Sequence, residues 1–405
     1  MSIHPLKGLR PSLVVACLVN GFTGFAAVQE AEAIPLFANR HHTTCNTCHS
    51  IPPKLNANGW AYAANGYRLP PGVAESRETE GPKTKRALES IPFTTWITAR
   101  YEDKSEDDVS DLFLPKVELV AGGPLGERLS YFAEWRIVSE SLRGDGSFQD
   151  RGGRFEDLYL EWAFAGEHAL KVGQYRSLNQ VDVSRRLSTS EPLLFGNGLQ
   201  TDTDPDPRLN SLMRFSPSSR SPSIGYSFRS IRGQRSSDGL FHHLTVPFVG
   251  ELSIPLSDEA SDEASFELQG PPKGVFLETY YRKGLSSIGV HAFYDDDAWL
   301  ATALGTLSWR RDFFLTAGVG VDDRDELDSR ERYSLEVEYL QSRRDRFRPG
   351  FGLRVEDVTD DGRDTAYVPY LVLSGPQSKH NWLLQIQYRA QDDNESLVID
   401  LSAMF

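Results

Sequence analysis

The chain is poor in cysteine, in methionine and in long apolar runs. Its 405 residues include three cysteines and three methionines. So few thiols cannot build the dense disulfide framework of a small secreted scaffold. Beyond the amino-terminal leader, no stretch is apolar for the roughly 20 residues that a membrane-crossing helix needs. Cationic excess is also missing. There are 43 Lys and Arg against 57 Asp and Glu, a net charge of −14, which argues against nucleic acid as a partner. No hydrolase triad, P-loop or Rossmann glycine pattern is present, so bond-making catalysis is not expected. Mean hydropathy is −0.41, which by itself suggests a soluble protein. That inference fails for transmembrane barrels, whose strands show only alternate residues to lipid.

The informative motif is Cys45-Asn46-Thr47-Cys48-His49. Two thiols three residues apart, followed at once by histidine, form the attachment signal for a c-type haem. Each thiol adds to one vinyl group, and the adjacent imidazole becomes the proximal ligand of the iron. A zinc site is the first competitor, because His41, His42, Cys45, Cys48 and His49 hold enough nitrogen and sulfur donors for one tetrahedral ion. A thioredoxin-like motif is a weaker one, since no βαβ pattern surrounds the cysteines. The remaining thiol, Cys17, lies in a segment that reads as a signal peptide. Lys7 and Arg10 supply its charged part, Leu13 to Val28 its apolar part, and Ala31-Glu32-Ala33 its small residues. Cleavage is expected after Ala33, with Ala27 as the alternative. Val14-Val15-Ala16-Cys17 has too short an apolar run before it for a lipidation signal. Removing the leader leaves Cys45 and Cys48 as the only cysteines, both committed to the motif.

Three regions are expected: a signal peptide over 1–33, a monohaem cytochrome domain with its linker over 34–90, and an outer-membrane β-barrel over 91–405. The first domain should contain a helical stretch from Leu55 to Asn65 and a turn at Gly66. The linker, Glu75 to Glu89, is charged and contains Gly81-Pro82. From Phe93 onward the chain becomes a series of roughly ten-residue segments of period-two alternation. In the last, Leu397, Ile399, Leu401, Ala403 and Phe405 share one face, opposed by Ser396, Asp400, Ser402 and Met404 with Val398 as the exception. Leu129, Tyr131, Ala133, Trp135 and Ile137 likewise oppose Arg128, Ser130, Glu134 and Arg136. About sixteen such segments are present. Tight turns are expected at Gly122–Gly126, Gly166–His168, Ser216–Ser221 and Gly284-Leu285. Long polar loops are expected at Asp103–Asp111, Ser139–Gly153, Asp202–Arg208, Ser257–Lys273 and Asp322–Arg330. The fold class is therefore all-β: a transmembrane antiparallel barrel of about 16 strands with a small N-terminal c-type cytochrome domain. A soluble sandwich or propeller also alternates. Three features oppose it: the full charges of the polar face, the aromatics near segment ends (Tyr101, Tyr294, Trp309, Tyr339, Tyr388), and the terminal aromatic Phe405.

Residues 33–70 carry Ile34-Pro35-Leu36-Phe37-Ala38, the C-x-x-C-H motif, Pro53-Lys54-Leu55-Asn56, Gly59 and Asn65-Gly66-Tyr67. Together these resemble the N-terminal cytochrome domain of the fused outer-membrane monohaem c-type cytochrome–porin family of iron-oxidising bacteria. The resemblance implies that Cys45 and Cys48 carry one covalent haem c and that His49 is its proximal ligand. It implies a protein of the outer membrane that passes electrons from an extracellular donor, Fe(II) being one candidate, to a periplasmic carrier such as a soluble cytochrome. The domain from residue 34 to about 90 is expected to plug or cap the barrel.

The distal ligand is left open by the sequence. Met213 and Met404 are the thioethers outside the leader. His41 and His42 lie too close to His49 in sequence to fold back easily over the other haem face. His242, His243 and His291 could come from the barrel. The acidic groups Asp202, Asp204 and Asp206, and Asp258, Glu259, Asp262 and Glu263, are hard donors that suit divalent cations, although solvated loops have the same composition. A second class of function is a diffusion porin with a structural or sensory haem domain, its selectivity tuned by lumen charges Lys116, Glu118, Arg128, Glu134, Arg136 and Arg354.

Overall fold

The computed structural model describes residues 36–41, 43–69, 93–105, 109–150, 152–181, 187–189, 194, 220–231, 238–253, 265–272, 274–295, 298–324, 327–341, 347–359, 365–375, 381–391 and 394–404. The leader, the linker from Glu75 to Glu89, His42, Met213, Phe405 and both acidic groups lie outside these residues.

The amino-terminal segment holds helix α1 (Leu36–Arg40), a 3-10 turn at Cys45–Thr47, the short strands β1 (His49–Ile51) and β2 (Lys54–Leu55), and helix α2 (Ala57–Ala64). The barrel follows as β3 (Thr94–Lys104), β4 (Val109–Pro124), β5 (Leu129–Val138), β8 (Arg154–Ala165), β9 (His168–Arg176), β10 (Arg220–Ile231), β11 (Gly239–Ser253), β13 (Val275–Lys283), β14 (Ser286–Asp295), β15 (Ala298–Trp309), β16 (Phe313–Arg324), β17 (Leu327–Leu340), β18 (Arg348–Val358), β19 (Ala366–Ser374), β20 (Asn381–Gln391) and β21 (Asn394–Met404). These sixteen strands form a closed antiparallel wall. Closure is made by β21 on β3, with Asp400 opposite Arg100 and Ser402 opposite Thr98. Three further strands decorate it. β6 (Glu140–Leu142) and β7 (Phe148–Asp150) form a small hairpin. β12 (Ser265–Pro272) pairs with the far half of β11, whose near half pairs directly with β13.

Alternation decides which side each residue faces. Outward, the wall exposes large apolar side chains on successive strands: Leu160 and Trp162, Ile288 and Val290, Leu307, Leu315 and Val319, Leu335 and Val337, Phe351 and Leu353. Such a continuous apolar band suits lipid rather than water. Trp309, Phe313, Tyr339 and Phe351 form a chain of ring contacts, with centroids 4.8 to 5.7 Å apart, where their strands meet the short turns. Inward, the wall is polar and paired. Arg100 grips Asp400 through two bonds of 2.7 and 2.8 Å. Arg332 grips Asp322 at 2.9 and 3.0 Å. Arg136 reaches Glu118 at 2.9 Å and Glu156 at 3.2 Å, and Lys116 adds a second contact to Glu118 at 2.6 Å. Charges removed from bulk water must be matched in this way.

The turns expected at Gly122–Gly126, Gly166–His168 and Gly284-Leu285 do join strands β4 to β5, β8 to β9 and β13 to β14. The other connections differ from expectation. Asp103–Asp111 and Asp322–Arg330 are mostly strand, because β3 reaches Lys104, β4 begins at Val109, β16 reaches Arg324 and β17 begins at Leu327. Ser139–Gly153 holds the β6–β7 hairpin, and Ser257–Lys273 holds β12. Arg220 and Ser221, expected in a tight turn, open β10. The cause is common to all: beyond the lipid zone both faces of a strand are wet, so the ladder continues after the alternation has gone. Arg128, expected in the lumen, lies exposed beside the β4–β5 turn, 3.5 Å from the Phe164 carbonyl. Lys116, Glu118, Glu134, Arg136 and Arg354 do face inward.

Candidate functional site

The turn that carries the motif is built by local hydrogen bonds. Thr47 N–H donates to Thr44 O at 2.9 Å and Cys48 N–H to Cys45 O at 3.2 Å. Asn56 then ties this turn to the next helix. Its backbone N–H donates to Cys48 O at 2.9 Å and its side-chain Nδ2 to Asn46 O at 2.9 Å. The same residue is the N-cap of α2, its Oδ1 accepting from Gly59 N–H at 3.1 Å. Gly59 lies directly against the motif: a Cβ there would sit 2.1 Å from Cys48 O. The helix ends in a turn at Gly66, where φ is +60° and a side chain would meet Ser130. The helix expected from Leu55 to Asn65 is thus α2, one or two residues shorter at each end.

Cys45 and Cys48 are half-buried thiols with no disulfide between them. His49 Nδ1 lies 3.0 Å from Pro53 O. A carbonyl can only accept, so Nδ1 is the donor. This is the arrangement by which a backbone carbonyl orients a metal-ligating imidazole. His41, by contrast, lies with Nε2 3.1 Å from Tyr62 OH. Burial pushes the Tyr62 phenol well above its ordinary range, so it stays neutral and able to donate. Among the described residues, no group of three or more His, Cys, Asp or Glu side chains is placed to hold a metal ion by itself.

The described residues between Leu36 and Leu69 sit within the short-turn mouth of the barrel. Its contacts run around the wall. Leu36 N–H donates to Thr94 Oγ1 on β3 at 2.6 Å, and Arg40 Nη1 to Gly122 O on β4 at 2.6 Å. Tyr67 stacks between Phe37 and Phe132 of β5, at 5.4 Å from each, and shares a hydrogen bond with the Tyr159 hydroxyl of β8. Arg229 of β10 donates to Ala64 O, and Arg282 of β13 lies 3.8 Å over the Trp60 ring. Lys54 pairs with Glu338 of β17, and Arg348 of β18 donates to Ser50 O at 2.9 Å. Ile51 is fully buried in one apolar cluster with Leu187, Phe314, Leu340, Tyr370, Val372 and Leu383.

The chain leaving β9 also turns inward. Gln180 donates to Leu304 O at 3.0 Å and Ser287 Oγ at 3.2 Å, while its backbone N–H meets Glu278 at 2.6 Å. Further on, Leu187 O accepts from Gln385 at 2.7 Å and Ser188 Oγ from Arg354 at 2.7 Å. Both the plug and this segment therefore occupy the lumen.

A cavity of about 280 Å³ lies between plug and wall. Cys45, Cys48, His49, Phe37, Leu55, Tyr62 and Tyr67 line it from the plug; Phe132, Tyr159, Lys171, Tyr175, Arg229, His243 and Tyr280 line it from the barrel. The volume is at the lower edge of the roughly 300–1,000 Å³ typical of ligand pockets. Its lining combines the thiols and an oriented imidazole with aromatic rings, with the carboxylates Glu134, Asp157 and Glu161, and with Lys171 and Arg229, both paired to Glu161. The thiols, the imidazole and the rings suit a planar, apolar, metal-bearing group. The sequence singled out the plug side of the cavity. On the barrel side it named His243 and Met404 but missed Tyr159, Lys171 and Arg229, which read as ordinary members of alternating strands.

Fold and site together define a plugged sixteen-stranded antiparallel β-barrel with an apolar outer band and a cavity at one mouth. No protein-family model matches the chain, and no curated protein is similar to it in sequence. Among solved structures it is similar to the anion-selective porin from Comamonas acidovorans, at 11% identity and TM-score 0.48 over 77% of this chain and 98% of that one. It is similar to OprB of Pseudomonas putida at high pH, at 11% identity and TM-score 0.47 over 80% and 96%. The outer membrane channel DcaP of Acinetobacter baumannii aligns at 11% identity and TM-score 0.46 over 77% and 96%.

Proposed function

We propose that this chain is an outer-membrane electron-transfer protein: a haem c plug seated in a porin-like barrel, taking electrons from an extracellular donor and passing them to a periplasmic carrier. The observation that carries this reading is that Cys45, Cys48 and His49 line one cavity together with the barrel wall. Cys45 and Cys48 would hold the group by adding S–H across its two vinyl double bonds. His49 would ligate the iron through Nε2, steadied by Pro53 O. Bound there, the haem supplies a one-electron couple. Phe37, Tyr62, Tyr67 and Phe132 would keep water from a group bound there, and Lys171 and Arg229, shared with Glu161, would offset negative charge on it. In barrels of this kind short turns face the periplasm, so the plug stands on the acceptor's side. A bilayer core about 30 Å thick then separates it from the outer surface, and the donor must approach through the lumen.

The test is direct. The exported mature protein should carry one covalent haem by intact mass, and that haem should be reduced by Fe(II). Unmodified thiols would end the proposal. A second reading, a diffusion porin whose plug is structural, is favoured by the charged inner wall of Lys116, Glu118, Glu134, Arg136 and Arg354. Planar bilayers separate the two. Steady ionic conductance with an Fe(II)-inert plug supports the porin, and a closed barrel with a reducible haem supports the conduit.

A further inference from the structure

A haem held by His49 would leave one further ligand position, and among the described residues the plug offers only His41 for it. His41 is held on the Tyr62 hydroxyl. The barrel offers a better candidate. Along β11 Phe241 and His243 face the lumen, while His242 faces outward, its Nδ1 3.0 Å from Thr279 Oγ1. His243 lines the cavity, with its ring stacked on Tyr280 at 5.8 Å and 15°. Its Nε2 is buried and, among the described residues, meets no hydrogen-bond partner. Leaving a buried imidazole nitrogen unmatched is costly. In a cavity that Cys45, Cys48 and His49 also line, such a nitrogen is explained by a metal that it would bind.

Resting on the haem reading above, we propose that His243 Nε2 is the sixth ligand of the iron, so that the plug supplies one axial imidazole and the barrel wall the other. Seating the plug and completing the coordination sphere are then one event, and a barrel without its plug cannot hold a six-coordinate haem. Two imidazoles set a lower potential than imidazole with thioether. The competing assignment is Met404, which lines the same cavity. His291 does not line it; it packs on Phe276 beside Glu278.

The test uses the full-length mature protein in detergent, with haem content, intact mass and heat-modifiable gel mobility measured first. Electron paramagnetic resonance of the ferric wild type should show a low-spin iron with two imidazoles. His243→Ala should keep its haem and its folded mobility, lose that signal for a high-spin one, and regain it with added imidazole. His243→Met should gain a sulfur-to-iron charge-transfer band and a higher midpoint potential. The assignment is overturned if the wild type already shows the sulfur band and Met404→Leu removes it. It is also overturned if His243→Ala and His243→Gln both keep the two-imidazole signal. Should neither variant insert, the wild-type spectrum decides: two imidazoles support the assignment and a thioether refutes it. Unmodified thiols in the wild type sink the haem reading itself, whereas an attached haem indifferent to His243 sinks only this ligand.

Discussion

Replacing Gly59 with alanine should unseat the motif while leaving the barrel intact. The new Cβ would lie 2.1 Å from Cys48 O and 2.8 Å from Leu55 Cδ2. A carbon–oxygen contact needs about 1 Å more than the first of these distances allows. The offending atom is backbone, so no rotamer change relieves it. The helix must withdraw from the turn, and Asn56, which bonds to Cys48 O and Asn46 O, must go with it. Overpacking of this kind costs about 1–3 kcal/mol, and weakening those hydrogen bonds adds about 1 kcal/mol. Better helix propensity returns about 1 kcal/mol. The net loss, about 1–3 kcal/mol, falls on the plug, because Gly59 touches no wall strand among its nearest contacts. Gly59→Ala should therefore show normal heat-modifiable mobility and faster proteolysis within residues 36–69 and, under the proposed function, a lower yield of covalent haem. A variant with wild-type protease resistance and wild-type haem yield would refute the packing argument.

Three further outcomes follow from other contacts. Arg332→Met should strand the buried Asp322 carboxylate and destabilise the barrel by about 3–5 kcal/mol, with Arg332→Met/Asp322→Leu recovering most of the loss in thermal unfolding followed by gel mobility. Tyr67→Phe removes the hydroxyl shared with Tyr159 and should cost about 1–2 kcal/mol, read as earlier proteolysis of the plug with the barrel's melting unchanged. Deleting residues 36–69 should raise single-channel conductance in planar bilayers, because this segment fills the short-turn mouth; unchanged conductance would mean that the inward segment after β9 alone sets the opening.

Much of the architecture was written in local pattern. Period-two alternation marks a strand because successive side chains point to opposite faces, and that signal belongs to the strand alone. Along Leu129–Ile137 the pattern corresponds to a real alternation, with Ser130, Phe132 and Glu134 turned to the buried inner side; along Leu397–Ala403 it is blurred, because Ile399 and Ala403 are buried along with Asp400 and Ser402. The short helix was legible for the same reason: Asn56 caps it and Gly66 ends it within a few residues. Loop assignments failed where strands outrun the lipid, since a strand wet on both faces has no pattern to read. Arg128 was misassigned because its alternation is right while its position, beyond the strand's end, is not.

By itself, then, the sequence determined the strand rows, the motif Cys45–His49 and the turn-helix unit around it, because each depends on neighbours a few residues away. Only the tertiary structure decided where that unit sits and what completes its cavity. Tyr159, Lys171 and His243 come to it from β8, β9 and β11, and closure of β21 on β3 brings Met404 round to the same mouth. A ring of paired strands sets which distant residues meet, and no local run of residues carries that information.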